Sequence, residues 1–240
     1  MNVKAPYLLH KLIDAVAPAL IRNPRAIPVV GRDGGLPAVA LGRLDAAALR
    51  ERFAHPPLWT PEIRSEPRIS ARAPAQAAVL IPIVQREQPV VLLTERATRL
   101  RHHSGQIAFP GGRVDPSDAS LTAAAEREAW EEIGLAADFI EVIGSLPSYT
   151  TITSFVVTPI VALVRPGFAL TLNADEVASA FEVPLAFLMD PAHHRRHALS
   201  VGGGVTRQFF SMPYQDGAHE RFIWGATAGM LRNLYRFLAA

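Results

Sequence analysis

Glu128, Glu131 and Glu132 stand at positions i, i+3 and i+4 of the segment Arg127-Glu128-Ala129-Trp130-Glu131-Glu132-Ile133-Gly134-Leu135. On an α-helix that spacing gathers the three carboxylates into an arc of roughly 100°. Like charges placed this way repel and weaken an isolated helix. A divalent cation removes the conflict, because hard cations such as Mg²⁺ take oxygen ligands, keep several waters and bridge readily to phosphate oxygens. Arg127 adjoins the cluster and can orient one glutamate or offset excess charge. Gly111-Gly112 lets backbone groups approach a cation or a phosphate closely, and Gly134 supplies a helix stop. A bare Glu-x-x-Glu-Glu is common on solvated helix faces. The glycine pair, the Arg-Glu start and the Ile-Gly-Leu end favour a metal site here.

The elements needed to hold such a cluster are legible around it. A helix is expected from about Ser120 to Ile133, with Ala125, Ala129, Trp130 and Ile133 able to pack on a sheet. Ala77 to Val84 and Pro89 to Thr94 read as two strands around the polar turn Gln85 to Gln88, and Phe139 to Leu146 and Phe155 to Val164 as two more. A helical turn at Ala186 to Met189, a hairpin of His197 to Val201 with Arg207 to Met212, and a closing helix from Ala226 to Leu238 complete the set. Strands on both sides of one central helix imply an α/β (α+β) fold, a mixed sheet covered by helices. Upstream, Leu8 to Leu20 carries helical spacing, and Asp45 can cap a helix through Arg52. Pro24, Pro28, Pro37, Pro56, Pro57, Pro61, Pro67 and Pro74 suggest a linker. The expected division is a Pro-rich, partly helical extension over 1–74 and the main domain over 75–240.

Composition narrows the class of function. With 49% hydrophobic and 19% charged residues the chain can fill a core. No apolar run approaches the roughly 20 residues that span a bilayer, and no signal peptide is read, so a cytoplasmic protein is expected. Residues 1–75 carry 11 Lys and Arg against 6 Asp and Glu. Those cations are scattered singly among prolines without aromatic interleaving, which argues against a nucleic-acid partner. With no cysteine, disulfides, thiolate zinc sites and a cysteine nucleophile are excluded. His102, His103, His193, His194 and His197 read as loop-surface residues. The first 70 or so residues could also form a homodimer contact.

The segment Arg127 to Leu135 resembles the second half of the Nudix box, with Ala129 in its apolar slot. The first half departs from the pattern: Ala119 falls where the box has a glutamate and Arg113 where it has a glycine, while Asp118 and Gly112 lie one residue earlier. This reads as a one-residue insertion in the loop entering the helix, and it leaves the role of Asp118 open. Just upstream, Leu92-Leu93-Thr94-Glu95-Arg96-Ala97, Arg101, Gly105 and Phe109-Pro110-Gly111-Gly112 are similar to the signature of Nudix coenzyme A pyrophosphatases. Asp175-Glu176-Val177, Val183-Pro184-Leu185 and Ile223-Trp224-Gly225-Ala226-Thr227-Ala228 also look like that subfamily.

The resemblance covers about residues 75 to 238. It implies the Nudix fold, a mixed sheet between helices, and a hydrolase that splits coenzyme A into 4′-phosphopantetheine and adenosine 3′,5′-bisphosphate. Glu128 and Glu132 are then expected to bind Mg²⁺ or Mn²⁺, with Glu131 as a further ligand or as the group that deprotonates water. Arg127, Glu128 and Glu131 form the candidate catalytic group, and Glu176 is an alternative base. Arg96, Arg101, Gly105, Phe109, Gly111 and Gly112 are the candidate substrate contacts, guanidinium groups being suited to paired bonds with phosphate oxygens. Phe109 could equally be core. Rival readings are a Nudix hydrolase of ADP-ribose, a dinucleotide polyphosphate or a nucleoside triphosphate, and a Nudix-shaped binding module without turnover.

Overall fold

Short runs rich in Val, Ile and Leu should pair as strands. They do so in the computed structural model, which describes residues 21, 23–66, 73–97, 105–200 and 206–240. In chain order the elements are β1 (Val29–Arg32), α1 (Ala46–Ala54), β2 (Ala75–Val84), β3 (Val90–Arg96), β4 (Ile107–Ala108), β5 (Gly111–Arg113), α2 (Leu121–Ile133), β6 (Ile140–Ser145), β7 (Tyr149–Thr150), β8 (Phe155–Val164), β9 (Val177–Pro184), α3 (Leu185–Leu188), β10 (Arg195–Ser200), β11 (Thr206–Asp216), β12 (His219–Trp224) and α4 (Gly225–Ala239). The helical spacing of Leu8 to Leu20 and the glycines 202–204 lie outside the described residues. No helix among the described residues is long and apolar enough to cross a membrane.

β2 and β8 form the spine of the larger sheet, parallel from Ala75↔Phe155 to Val84↔Val164. β3 joins β2 only at the hairpin end, Ile83 with Val91 and Val84 with Val90, and then diverges. Into the opening come β4, paired to β3, and β5, paired to β2. β6, β7 and β9 add antiparallel pairs, which makes the sheet mixed. Pro82 is tolerated in this central strand for a geometric reason. The Leu80 N–H reaches the Pro110 carbonyl at 2.8 Å, so two residues on, the Pro82 nitrogen points into the same opening and costs no ladder bond.

One face of this sheet packs against α2 through Ala78, Leu80, Ile160, Ala125, Ala129 and Ile133. The other face meets α4 and a second, antiparallel sheet of order β1-β10-β11-β12. The larger sheet is thus covered by helices on both sides, as expected, and the second sheet is an addition. Where the prolines suggest a linker, β1 pairs with β10 and the next helix is built in. The Asp45 side chain caps α1 by accepting from Ala48 N at 2.8 Å. Leu49 on that helix is completely buried in the shared core, a contribution of about 1.5–3 kcal/mol.

A buried charge ties this segment to the terminal helix. Arg232 on α4 is 2% exposed; its Nε meets Glu62 at 2.8 Å and its Nη2 meets Asp33 at 2.9 Å. Its Nη1 donates to His194 Nδ1 at 3.0 Å. The guanidinium also lies over Phe210, 5.0 Å from the ring centroid. His194 and His197 are 0% and 2% exposed, which corrects their reading as loop-surface residues. His197 donates from Nδ1 to the Ile27 carbonyl, accepts from Ser211 and stacks on Phe209.

His194 gives the fold a pH dependence. Its Nε2–H donates to the Leu188 carbonyl at 2.8 Å, leaving Nδ1 as the acceptor for Arg232, so a second ring proton would face a guanidinium. Burial pushes its pKa down to about 4 from 6.5. The unfolded chain therefore takes up this proton first. The contribution is fully present above pH 6.5 and is lost as pH falls from 6.5 to 4, on the order of 3 kcal/mol in all. Urea midpoints of wild type and His194→Gln should differ less at pH 5 than at pH 7.5. Parallel pH profiles for the two proteins would refute the assignment.

Candidate active site

The glutamate helix α2 is rich in alanine, a strong helix former, and its ends are specified locally. The Ser120 hydroxyl accepts from Ala123 N at 3.0 Å, and Gly134 stops the helix at φ +68° with its N–H on the Trp130 carbonyl. Small residues on the inner face, Ala124, Ala125 and Ala129, let the helix sit close on the sheet. Trp130 does not join that face. It is 60% exposed, which corrects the expectation that it packs on the sheet.

The glycine loop meets this helix at van der Waals range. Gly111 has φ +152°, and a Cβ there would lie 2.5 Å from the Ala78 carbonyl oxygen. A Cβ on Gly112 would lie 2.6 Å from the Glu128 carboxyl. Only glycine fits at Gly111, where the conflict is with backbone; at Gly112 a side chain would push the Glu128 carboxyl aside, so the glycine keeps the backbone against that acid. Gly111 N–H donates to Glu132 Oε2 at 3.2 Å.

The three glutamates of the cluster have different surroundings. Glu132 is 3% exposed. Burial pushes it up to about 7, opposed by the Gly111 N–H and the Arg96 guanidinium and reinforced by repulsion from Glu128 and Glu176. Glu128 is also raised, first by burial, against the pull of Arg127 and with Glu131 and Glu176 adding repulsion. Glu131 is the exposed member, its side chain 52% accessible. Glu176 reaches the group from the turn before β9. The Asn173 N–H bonds the Glu132 carbonyl at 2.9 Å, and Asn173 Nδ2 donates to Glu176 Oε1 at 3.3 Å.

Arg127 organises the exposed edge. Its Nη1 lies 3.0 Å from both Glu128 Oε1 and Glu131 Oε2. Its Nε and Nη2 grip the two oxygens of Asp118 at 2.9 and 3.0 Å. The role of Asp118 is thus to hold Arg127, and the Arg127 guanidinium holds the Asp118 carboxyl below the usual range. Asp118→Asn should lower kcat by about 10–100-fold, as loss of a supporting partner does, with little change in far-ultraviolet circular dichroism. Unchanged turnover would leave Asp118 with no part in the site.

Among the described residues no three acidic or histidine side chains converge on one point ready to hold a metal ion. The geometry gives the reason: Glu128 and Glu131 are turned onto Arg127. The donor set still suits a hard cation, because crowded carboxylates raised by burial and mutual repulsion are what such a cation neutralises.

Of the candidate substrate contacts, Arg96 stands at the site, its Nη1 3.6 Å from Glu132 Oε1. Gly105 N–H bonds the Arg96 carbonyl at 3.1 Å, and Arg96 N–H bonds the Gln106 carbonyl at 3.0 Å. Phe109 is 2% exposed within the core, so it is packing and not a substrate contact. Arg101, His102 and His103 lie outside the described residues. The grip of Asp118 and the partners of Glu176 escaped the sequence reading. The acidic residue beside the box glutamate position was the only signal for the first.

Comparison with known proteins bears on the family. The NUDIX domain family matches residues 74–199, just over half of the chain. The chain is 46% identical over 159 residues to the "Uncharacterized Nudix hydrolase NudL" of Citrobacter koseri, covering 66% of this chain and 80% of that protein. It is 48% identical over 161 residues to the protein of the same name from Salmonella newport, again covering 66% and 80%. A solved structure, the MutT protein of Methanosarcina mazei Go1, is similar at 24% identity and a TM-score of 0.40 over 50% of this chain and 83% of that one. With the box glutamates on one helix against a mixed sheet and with relatives at this level of identity, the chain belongs to the Nudix hydrolase family.

Proposed function

We propose that this Nudix hydrolase cleaves the pyrophosphate of coenzyme A to 4′-phosphopantetheine and adenosine 3′,5′-bisphosphate with the help of Mg²⁺ or Mn²⁺, in the cytoplasm. The observation that carries the reading is the meeting of two motifs. Arg96, from the upstream signature, stands 3.6 Å from Glu132, the buried acid of the box. The Arg96 side chain is 29% exposed beside that acid, so its guanidinium is open to paired bonds with phosphate oxygens.

Glu128 and Glu132 would hold the cation, with Glu131 as a further ligand. A bound cation supplies polarisation of a phosphoryl oxygen and offsets charge on the departing phosphate. The chain's own groups do the rest. Arg96 orients the pyrophosphate. Arg127, fixed by Asp118, sets the positions of Glu128 and Glu131. Glu131 or Glu176 takes a proton from the attacking water, whose oxygen bonds to phosphorus as the bridging P–O bond breaks.

The test is incubation of the purified protein with coenzyme A and Mg²⁺ or Mn²⁺, followed by mass spectrometry. The two named products should appear, and their formation should stop with chelator. Cleavage of ADP-ribose or a dinucleotide polyphosphate but not of coenzyme A would keep the hydrolase and remove the substrate assignment.

A further inference from the structure

A cleft lies on the opposite side of β3 from the glutamates. Successive side chains of a strand point to opposite faces. Arg96 goes to Glu132, while Glu95 goes the other way, to Arg221 at 2.7 Å. There, between β12, the start of β4 and the segment around Arg25, is a cleft of about 310 Å³, within the size range of small-molecule sites. Gly105 borders both regions. It is paired to the Arg96 backbone, has φ +66°, and no atom of the described residues beyond its chain neighbours lies within 4 Å of where its Cβ would stand.

The charges of the cleft are already matched. Arg25 pairs with Glu220 and lies over Phe222, 4.7 Å from its ring centroid. Arg221 pairs with Glu95 and with Asp216 and lies over Phe181. Guanidinium groups committed in this way are poor hosts for a further phosphate. The remaining walls combine Ile107, Phe222 and Trp224 with the uncharged polar groups of Asn23 and Gln106 and with His219, together with two strand edges. Among the described residues β12 ends its sheet beside β11, its Glu220 carbonyl accepting from Arg25 Nη2 at 3.2 Å, and β4 pairs with β3, its Ile107 carbonyl accepting from Thr227 Oγ1 at 3.0 Å; the other backbone groups of these edges are not paired in the sheets. An extended chain with amide groups can bond to such edges as an added strand does.

We propose that this cleft binds the pantetheine arm of the substrate, a neutral chain with two amides, which leaves the pyrophosphate at Arg96 and passes Gly105. The assignment rests on the coenzyme A reading and adds to it that the N-terminal segment, through Arg25, builds part of the substrate site. It also separates two chemistries by face, with anionic phosphates on the glutamate side and the uncharged arm on the other.

The test uses the full chain with Mg²⁺ and the variant His219→Trp, which places bulk at an exposed position lining the cleft. KM for coenzyme A should rise tenfold or more with kcat within twofold. Free pantetheine, at millimolar concentration, should compete with coenzyme A in the wild type, a measurement independent of how the variant folds. If the wild type cleaves coenzyme A but is not inhibited by pantetheine, and the variant keeps its KM, the cleft assignment fails and the substrate reading survives. If the wild type does not cleave coenzyme A, both fall.

Discussion

Glu128→Gln is expected to lower kcat by at least about 10²-fold, since misplacing reacting groups by an ångström already costs that much. The substitution keeps the shape of the side chain and removes its charge. Glu128 touches Arg127 and sits against Gly112, where a Cβ would lie 2.6 Å from its carboxyl. The same variant should lose most of the rise in Tm that Mg²⁺ gives the wild type, because an ion that binds only the folded state stabilises it by mass action. That rise should itself grow with pH, as cation and proton compete for Glu132, which titrates near 7 without metal. Near-wild-type turnover in metal-replete buffer would remove Glu128 from the site.

Arg232→Ala should destabilise the fold by about 3–5 kcal/mol, the usual result of breaking a buried ion pair from one side. For a chain of this length that is a fall in Tm of roughly 10 °C or more. The loss has four parts, the first being the Glu62 carboxylate left with Arg236 at 3.4 Å in place of Arg232 at 2.8 Å. Among the described residues Asp33 keeps Arg196, at 2.9 Å, as its charged partner; His194 loses the donor to Nδ1; and Phe210 and Tyr235 lose the cation stacked above them. Because Asp33 and Glu62 precede the main sheet while Arg232 is in the last helix, the first sign should be faster proteolysis between residues 23 and 66. A change below about 1 kcal/mol in urea unfolding would mean that the contacts are worth no more than those of a surface pair.

Much of the architecture was legible because local pattern and tertiary role coincide. Phe155 to Val164 is a strand with the bounds that its composition suggests, and Ser120 begins the glutamate helix as its cap. The site was legible in kind but not in detail. Helical spacing puts Glu131 and Glu132 on one arc, yet only the angle of the helix on the sheet decides that Glu132 is buried and Glu131 exposed. The same angle leaves Trp130 in solvent. β9, Val-Ala-Ser-Ala-Phe-Glu-Val-Pro, was missed as a strand since half its residues have little strand preference, and pairing with β3 supplies what propensity lacks. β1 was hidden among prolines. Buried polar residues such as His194 and Arg232 cannot be told from exposed ones by spacing, because their burial depends on partners far away in the chain.

The parallel ladder between β2 and β8 also has a kinetic consequence. Its partners, Ala75 with Phe155 through Val84 with Val164, stand about 80 positions apart. The glycine loop and the glutamate helix lie inside the loop that this pairing closes. Neither can dock until the closure entropy has been met by the contacts of the whole sheet, so folding should be slow for the chain's size. The acids therefore have no sheet to pack against before the ladder forms. Hydrolytic activity should return on refolding with the same rate constant as sheet circular dichroism, with no active species ahead of it.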